Sequence, residues 1–360
     1  MVPPRGPPGA AVPSTLGASG GARVGPTSRC ARPTRGACLW ALRGRRLRAR
    51  ARPPAPPPPG APVLALPDAV VPAFVHLTRA QRIFATREAA RAHVEKMALR
   101  PAAFGPPPLL RRDVQVTAER VDGWPVYTVR PRTGRPEGAV VYSHGGGWVN
   151  DISAFHWYLI AQVAAESSTT VVVPIYPLVP FGTAGEVVAG VAALVERTAR
   201  EHGPTSVAGD SAGGQISLSV AQVLRDAGHV LPATVLIAPA LDLSLSNPAI
   251  PPMEHTDPWL ARDGGLYLSE RWAGDLPLTD PRVSPLFGDL AGLGPITQFT
   301  GTRDILNPDA RLLAERAAEA EVPFEQHEVE GLLHVYPLTP TRTGATARAR
   351  IVEVLRRAAR

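Results

Sequence analysis

The chain is short of thiols, of lysine and of long apolar runs, and each shortage narrows what it can be. Only two cysteines occur in 360 residues, Cys30 and Cys38. The rest of the chain can therefore form no disulfide and offers no thiol nucleophile, which suits a reducing compartment and makes the cytoplasm the expected location. No stretch approaches the roughly twenty apolar residues that span a bilayer. The runs Ala37–Leu42 and Val63–Leu66 are too short even for the core of a secretory signal. No H-E-x-x-H pattern and no Cys/His ligand cluster appears, so the expectation is that no metal and no cofactor is required.

Acidic residues are missing altogether from the first sixty positions, which hold eleven arginines. The formal charge of +7 is thus a property of the N-terminus, and the remaining residues carry −4. Residues 1–66 are rich in Pro, Gly, Ala and Arg and show no apolar period, so a disordered tail is expected. Its cluster Arg43, Arg45, Arg46, Arg48, Arg50 and Arg52 could serve a nucleic acid, an anionic surface or organelle targeting. A solvated tail is the simpler reading, because no aromatic side chains interleave for base stacking, and nucleic-acid binding is not expected. Lys96 is the one lysine.

What is present is ample material for a core, with 44% hydrophobic residues, and residues 67–360 read as one domain. Apolar residues recur at three-to-four spacing from Asp68 to about Leu99, predicting a helical segment that could act as a lid. Residues 113–118 and 125–129 predict an antiparallel pair joined near Asp122-Gly123. Strands at 138–142, 170–175, 206–208 and 233–238 then alternate with helices at 154–166, 185–201 and 214–225. The Pro-rich stretch 242–294 interrupts, with an amphipathic piece around Leu266–Trp272, and reads as an insertion able to close over a pocket. Strands at 296–300 and 324–329 and helices at 308–320 and 341–359 complete the alternation. The prediction is an α/β fold with a mostly parallel sheet covered by helices on both faces.

Within this frame Gly209-Asp210-Ser211-Ala212-Gly213 stands at a strand-to-helix turn, where a serine hydroxyl is pushed out of the backbone and small neighbours permit the bend. Ser211 is therefore the candidate nucleophile, and it needs a base and an orienting acid. The run Gly145-Gly146-Gly147 after a strand can aim backbone N–H groups at a developing oxyanion, with the N–H of Ala212 as a further donor. Among nine histidines, His334 stands in a loop directly after the last strand and is the candidate base. His144 is expected to shape the glycine loop, and His156 either lines the site or packs. His76, His93, His202, His229, His255 and His327 have structural readings. For the acid, Asp304 follows the strand at 296–300 and is preferred, Asp242 competes for the role, Asp309 falls in a helix, and Asp210 bonds the turn.

The set His144-Gly145-Gly146-Gly147-Trp148, Gly209-Asp210-Ser211-Ala212-Gly213-Gly214, Gly301-Thr302-Arg303-Asp304-Ile305-Leu306 and His334-Val335-Tyr336-Pro337 resembles the hormone-sensitive-lipase family of α/β-hydrolases, a group of carboxylesterases. Asp257-Pro258-Trp259-Leu260, Asp280-Pro281-Arg282-Val283-Ser284-Pro285 and Tyr176-Pro177-Leu178 resemble segments of the same family, and the likeness covers roughly residues 70–358. It implies the α/β-hydrolase fold, with Ser211 as nucleophile, Asp304 as acid, His334 as base and Gly146, Gly147 and Ala212 as oxyanion donors. It further implies a cap from about 68–110 and 242–294, and His144, Trp148 and Trp259 are the expected substrate contacts. Two departures stand out. A second Asp that relatives carry four residues after the acid is Pro308 here, with the carboxylate moved to Asp309. An Arg and a Glu are absent from Tyr176-Pro177-Leu178-Val179-Pro180-Phe181.

The expected activity is hydrolysis of small or medium acyl esters, with a small-molecule ester as partner and homo-oligomerisation left open. Amides, lactones and acetyl esters are alternative substrates, and a non-catalytic receptor on the same fold is the alternative function.

Overall fold

The computed structural model describes residues 66–108 and 110–360. The arginine-rich tail lies outside these residues apart from Leu66, which makes a β-bridge to Thr341.

The leading segment folds as two helices, α1 (Val70–Thr78) and α2 (Arg87–Leu99), with a 3-10 turn at Ala80–Ile83 between them. The periodicity predicted helical structure through this region without locating a break. The break has two local causes: Arg79 adopts a left-handed conformation (φ 53°) that ends α1, and Thr86 is extended and caps α2 by accepting a hydrogen bond from Ala89 N at 3.1 Å. Neither is visible in apolar spacing.

β1 (Val114–Val121) and β2 (Trp124–Pro131) form the expected hairpin. Asp122 and Gly123 both have positive φ (49° and 88°), as a two-residue turn matching strand twist requires. The strands after this hairpin have no polar alternation: β3 (Ala139–Ser143), β4 (Thr170–Pro174), β5 (Thr205–Asp210), β6 (Thr234–Ile237) and β7 (Ile296–Gly301) are buried at every position. Such strands are stable only with helices on both sides. β8 (Phe324–Val329) is half-buried at the edge. The sheet order is β1-β2-β4-β3-β5-β6-β7-β8, parallel from β4 to β8 and antiparallel through β1 and β2.

Side chains leave the sheet alternately. Val140, Tyr142, Val171 and Val173 enter the core beneath α3 (Ala154–Ser167), whereas Val141, Val172, Val207 and Leu236 enter the core beneath α4 (Ala184–His202) and α5 (Ala212–Asp226). In the insertion, the amphipathic piece extends to a helix, α6 (Arg262–Ala273), that packs on α2. Gly264 N donates to Phe84 O at 2.9 Å at this contact. Arg87 also forks onto Glu270 at 2.5 and 3.0 Å, but both side chains are more than a third exposed, so apolar packing contributes more than the ion pair. α7 (Asn307–Glu319) covers the α4 and α5 face, and α8 (Arg342–Ala358) the α3 face. No helix among the described residues is long and apolar enough to cross a membrane.

The sheet gathers four loops on one side of the molecule, because those leaving β3, β5, β7 and β8 all open at the carboxyl ends of parallel strands. α5 is pressed against the end of β3 so closely that a Cβ on Gly213 would run into the carbonyl oxygen of Ser143. Gly213→Ala is expected to destabilise the fold by about 1–3 kcal/mol, seen as a lower denaturant midpoint. An unchanged midpoint would show that the helix has room to move away.

Candidate active site

Ser211 joins β5 to α5 with φ 53° and ψ −117°, a conformation that side-chain-bearing residues avoid. The surroundings hold it there: Ser211 N donates to Ile237 O at 2.8 Å, and Ser211 O accepts from Ala240 N and Gln215 N, each at 3.1 Å. The strain lifts Oγ clear of the sheet and over the strand ends.

His334 approaches from the segment after β8 and Asp304 from the loop after β7. His334 Nε2 lies 2.9 Å from Ser211 Oγ, and His334 Nδ1 lies 2.7 Å from Asp304 Oδ2. Both residues are buried, and the other Asp304 oxygen accepts from Leu306 N at 2.9 Å. A proton on Nδ1 donated to Asp304 leaves Nε2 free to accept from the serine hydroxyl, which is the tautomer a base requires. Burial would lower the imidazole pKa, but the charge and hydrogen bond of Asp304 outweigh it and hold His334 above its ordinary 6.5. The competing acids are committed elsewhere. Asp242 accepts from the hydroxyls and N–H groups of Ser244 and Ser246. Asp309, on α7, accepts from Asn247 and is pushed up to about 7, chiefly by burial.

The glycine loop after β3 is tied to the serine turn through Asp210. The buried Asp210 carboxylate accepts from Tyr142 Oη at 2.7 Å, Gly145 N at 3.0 Å and His156 Nε2 at 3.1 Å. Burial alone would raise its pKa, yet His156, Tyr142 and Gly145 hold it below the usual carboxylate value. Ser153 N donates to His156 Nδ1 at 2.9 Å, which fixes the proton on Nε2. Sequence reading left His156 with two roles and gave Asp210 only the turn. The structure makes the pair a brace beneath the site.

Two expectations are corrected here. The N–H of Gly145 is spent on Asp210, so it does not face an oxyanion, whereas Gly146 and Gly147 line the cavity beside Ser211 and their N–H groups have no backbone partner among the described residues. Gly146 has φ 125°, and a Cβ there would strike Asn150 O. His144 is not a substrate contact: it is fully buried, its Nδ1 donates to Gly145 O at 2.7 Å, and its ring stacks on Tyr176 at 4.6 Å. Burial, then His156, pushes its pKa down to about 4, so it is a neutral packing group.

Ser211 stands between two cavities. The larger, of about 580 Å³, is walled by α1 through Val70, Val71, Phe74 and Val75, and by Phe84 and Trp259. Trp259 also meets the His334 ring edge-on at 5.8 Å. The smaller, of about 50 Å³, includes Trp148, whose indole donates to Gln215 at 3.2 Å and stacks on Trp272.

A family model described as alpha/beta hydrolase fold matches residues 140–338. The chain belongs to that family. Among relatives of this α/β-hydrolase, a triacylglycerol lipase of Mycobacterium tuberculosis is 37% identical over 61% of the chain and 47% of the lipase, so the match spans about half of that protein. An acetyl-hydrolase of Streptomyces hygroscopicus is 31% identical over 57% of the chain and 70% of the relative. An esterase from the bacterial hormone-sensitive lipase family superimposes with a TM-score of 0.70 at 25% identity, covering 82% of this chain and 99% of that structure. The resemblance and the fold class read from the sequence agree with these matches.

Sequence reading assigned no role to Asp257, a buried carboxylate next to the acid loop of this α/β-hydrolase. Its Oδ1 accepts from Trp259 N and Leu260 N, and its Oδ2 from Ile305 N at 3.0 Å, so one carboxylate joins the insertion to the acid loop. Burial, then the nearby Asp304, pushes it above the usual carboxylate range. The signal was available, because Asp before Pro marks a turn in which the carboxylate accepts from residues two and three ahead.

Two outcomes are expected. Asp210→Ala strands three buried donors and loosens the glycine loop, so it should destabilise the protein by about 3 kcal/mol and lower kcat on an ester by roughly 10²-fold; wild-type kcat in the folded variant would show the loop needs no brace. A histidine base works only when neutral and the His334 pKa is raised, so kcat/KM should fall on the acid side with an inflection above pH 6.5. A flat profile through that range would remove His334 from the reaction.

Proposed function

We propose that the protein is a serine carboxylesterase. The observation that carries this reading is the unbroken chain from Ser211 Oγ to His334 Nε2, at 2.9 Å, and from His334 Nδ1 to Asp304 Oδ2, at 2.7 Å, beside the Gly146 and Gly147 N–H groups, which have no backbone partner among the described residues. The names of its relatives, a lipase, an acetyl-hydrolase and an esterase, lie in the same class.

Ser211 Oγ attacks the ester carbonyl carbon while its proton moves to His334 Nε2. The carbonyl π electrons move to oxygen, and the N–H groups of Gly146, Gly147 and Ala212 receive the oxyanion; the last stands at the positive end of α5. Asp304 stabilises the imidazolium without taking its proton. Collapse of the adduct breaks the bond to the alcohol oxygen, which leaves with the proton from Nε2. Water then repeats the sequence on the acyl-serine, giving up a proton to Nε2, and releases the acid. The residues 68–110 and 242–294 act in this reading as a cap, supported by Val70 and Phe74 of α1 and Gly265 and Ser269 of α6, which line the two cavities that Ser211 borders, with α2 packed on α6. A cytoplasmic setting accords with the lack of any cysteine beyond Cys38.

Ser211→Ala should leave the fold intact and lower kcat/KM on p-nitrophenyl acetate by about 10³- to 10⁶-fold. Asp304→Asn should cost on the order of 10⁴-fold. Hydrolysis by Ser211→Ala at a rate near wild type would end the proposal.

A further inference from the structure

The two cavities at Ser211 are unequal, and His334 faces only one of them. It lines the 580 Å³ cavity and is absent from the walls of the 50 Å³ one, whereas Ser211 and Gly147 border both. This asymmetry orients an ester. Resting on the esterase reading above, the alcohol oxygen must take its proton from His334 Nε2, so the alcohol group has to extend into the cavity that His334 faces. The carbonyl oxygen is held at Gly146 and Gly147. One direction remains for the acyl chain, the smaller cavity.

We infer that the enzyme cleaves short-acyl esters of large apolar alcohols, with the alcohol under α1 and the acyl group in the small cavity. The volumes support this division. A water-sized group needs roughly 15 Å³, so 50 Å³ admits a methyl, ethyl or propyl chain and little more. Leu243, Leu245 and Leu306, all of them buried, wall it and do not reach the larger cavity. The larger space is over ten times this volume (580 against 50 Å³). Val70, Phe74 and Phe155 line it and are also among the exposed large hydrophobic side chains, so its mouth is apolar as well as its interior. An apolar alcohol buried there would contribute binding energy of roughly 25 cal/mol per Å² of surface removed from water. The acetyl-hydrolase among the relatives is named for a short acyl group.

Octyl acetate and ethyl octanoate test the inference directly, because they are isomers that place the same eight-carbon chain on opposite sides of the ester. With acid release followed at constant pH, kcat/KM for octyl acetate should exceed that for ethyl octanoate by at least about tenfold, since even one misplaced methylene is worth roughly 10- to 200-fold in a fitted pocket. Equal rates, or a preference for ethyl octanoate, overturn the orientation. Turnover of p-nitrophenyl acetate with neither isomer cleaved also overturns it, because the large cavity would then not accept the alcohol. Failure on all three substrates rejects the esterase reading, and the orientation with it.

A second measurement acts on the small cavity alone. A Cβ on Gly265 would lie 3.4 Å from Leu245 Cδ1, so Gly265→Leu adds volume inside that space. The variant should lower the ratio of p-nitrophenyl butyrate to p-nitrophenyl acetate turnover by about tenfold. An unchanged ratio in a folded variant would place the acyl chain elsewhere. If the variant does not fold, the isomer comparison on the wild-type protein still decides.

Discussion

The carboxylate of Asp210 is the constraint on which the site depends. It lies one residue before a strained serine and gathers donors from β3, the glycine loop and α3 at once. A buried carboxylate without partners is costly, so Tyr142, Gly145 and His156 have little freedom to leave it. The glycine loop is therefore fixed relative to Ser211 by an interaction neither of them could form alone. Preorganised donors are effective because they do not have to reorganise as charge develops.

The remaining parts arrive by the same route. Loops after β3, β5, β7 and β8 emerge on one side of a parallel sheet, so residues far apart in sequence converge without long excursions of the chain. Asp257 then ties the insertion to the acid loop by accepting from Trp259, Leu260 and Ile305. Gln81 reaches across from the leading segment to the carbonyls of Asp257 and Leu260. The cavity walls and the catalytic geometry are thus parts of one hydrogen-bonded assembly.

Much of this was legible in the sequence, for identifiable reasons. Strands β3 to β7 are buried on both faces and so read as plain apolar runs, and the helices between them are long enough to carry a clear period. The placing of Ser211 was legible because a strained turn demands small neighbours, and that of His334 from chain order and its place after the last strand. Position after a strand fitted Asp242 as well as Asp304, and only the contacts separate them, since Asp242 accepts from Ser244 and Ser246 whereas Asp304 meets His334. What escaped were properties of contacts rather than of segments. Gly145 looks like its two neighbours until Asp210 takes its N–H. His144 sits in the same motif yet points into the interior against Tyr176. The break at Arg79 depends on one left-handed residue and on Thr86 capping the next helix, neither of which alters apolar spacing. The unequal cavities arise where α1, α6 and the strand ends meet, a juxtaposition no local pattern encodes.

The central claim is that Ser211 is a nucleophile activated by His334. The most direct test is treatment with a fluorophosphonate and then peptide mass spectrometry, which captures the serine in the act of attack. The account predicts one adduct, on the peptide carrying Ser211, formed rapidly in the wild-type protein and lost or greatly slowed in His334→Ala. No adduct on the folded wild-type protein, or an adduct on another residue, would contradict it.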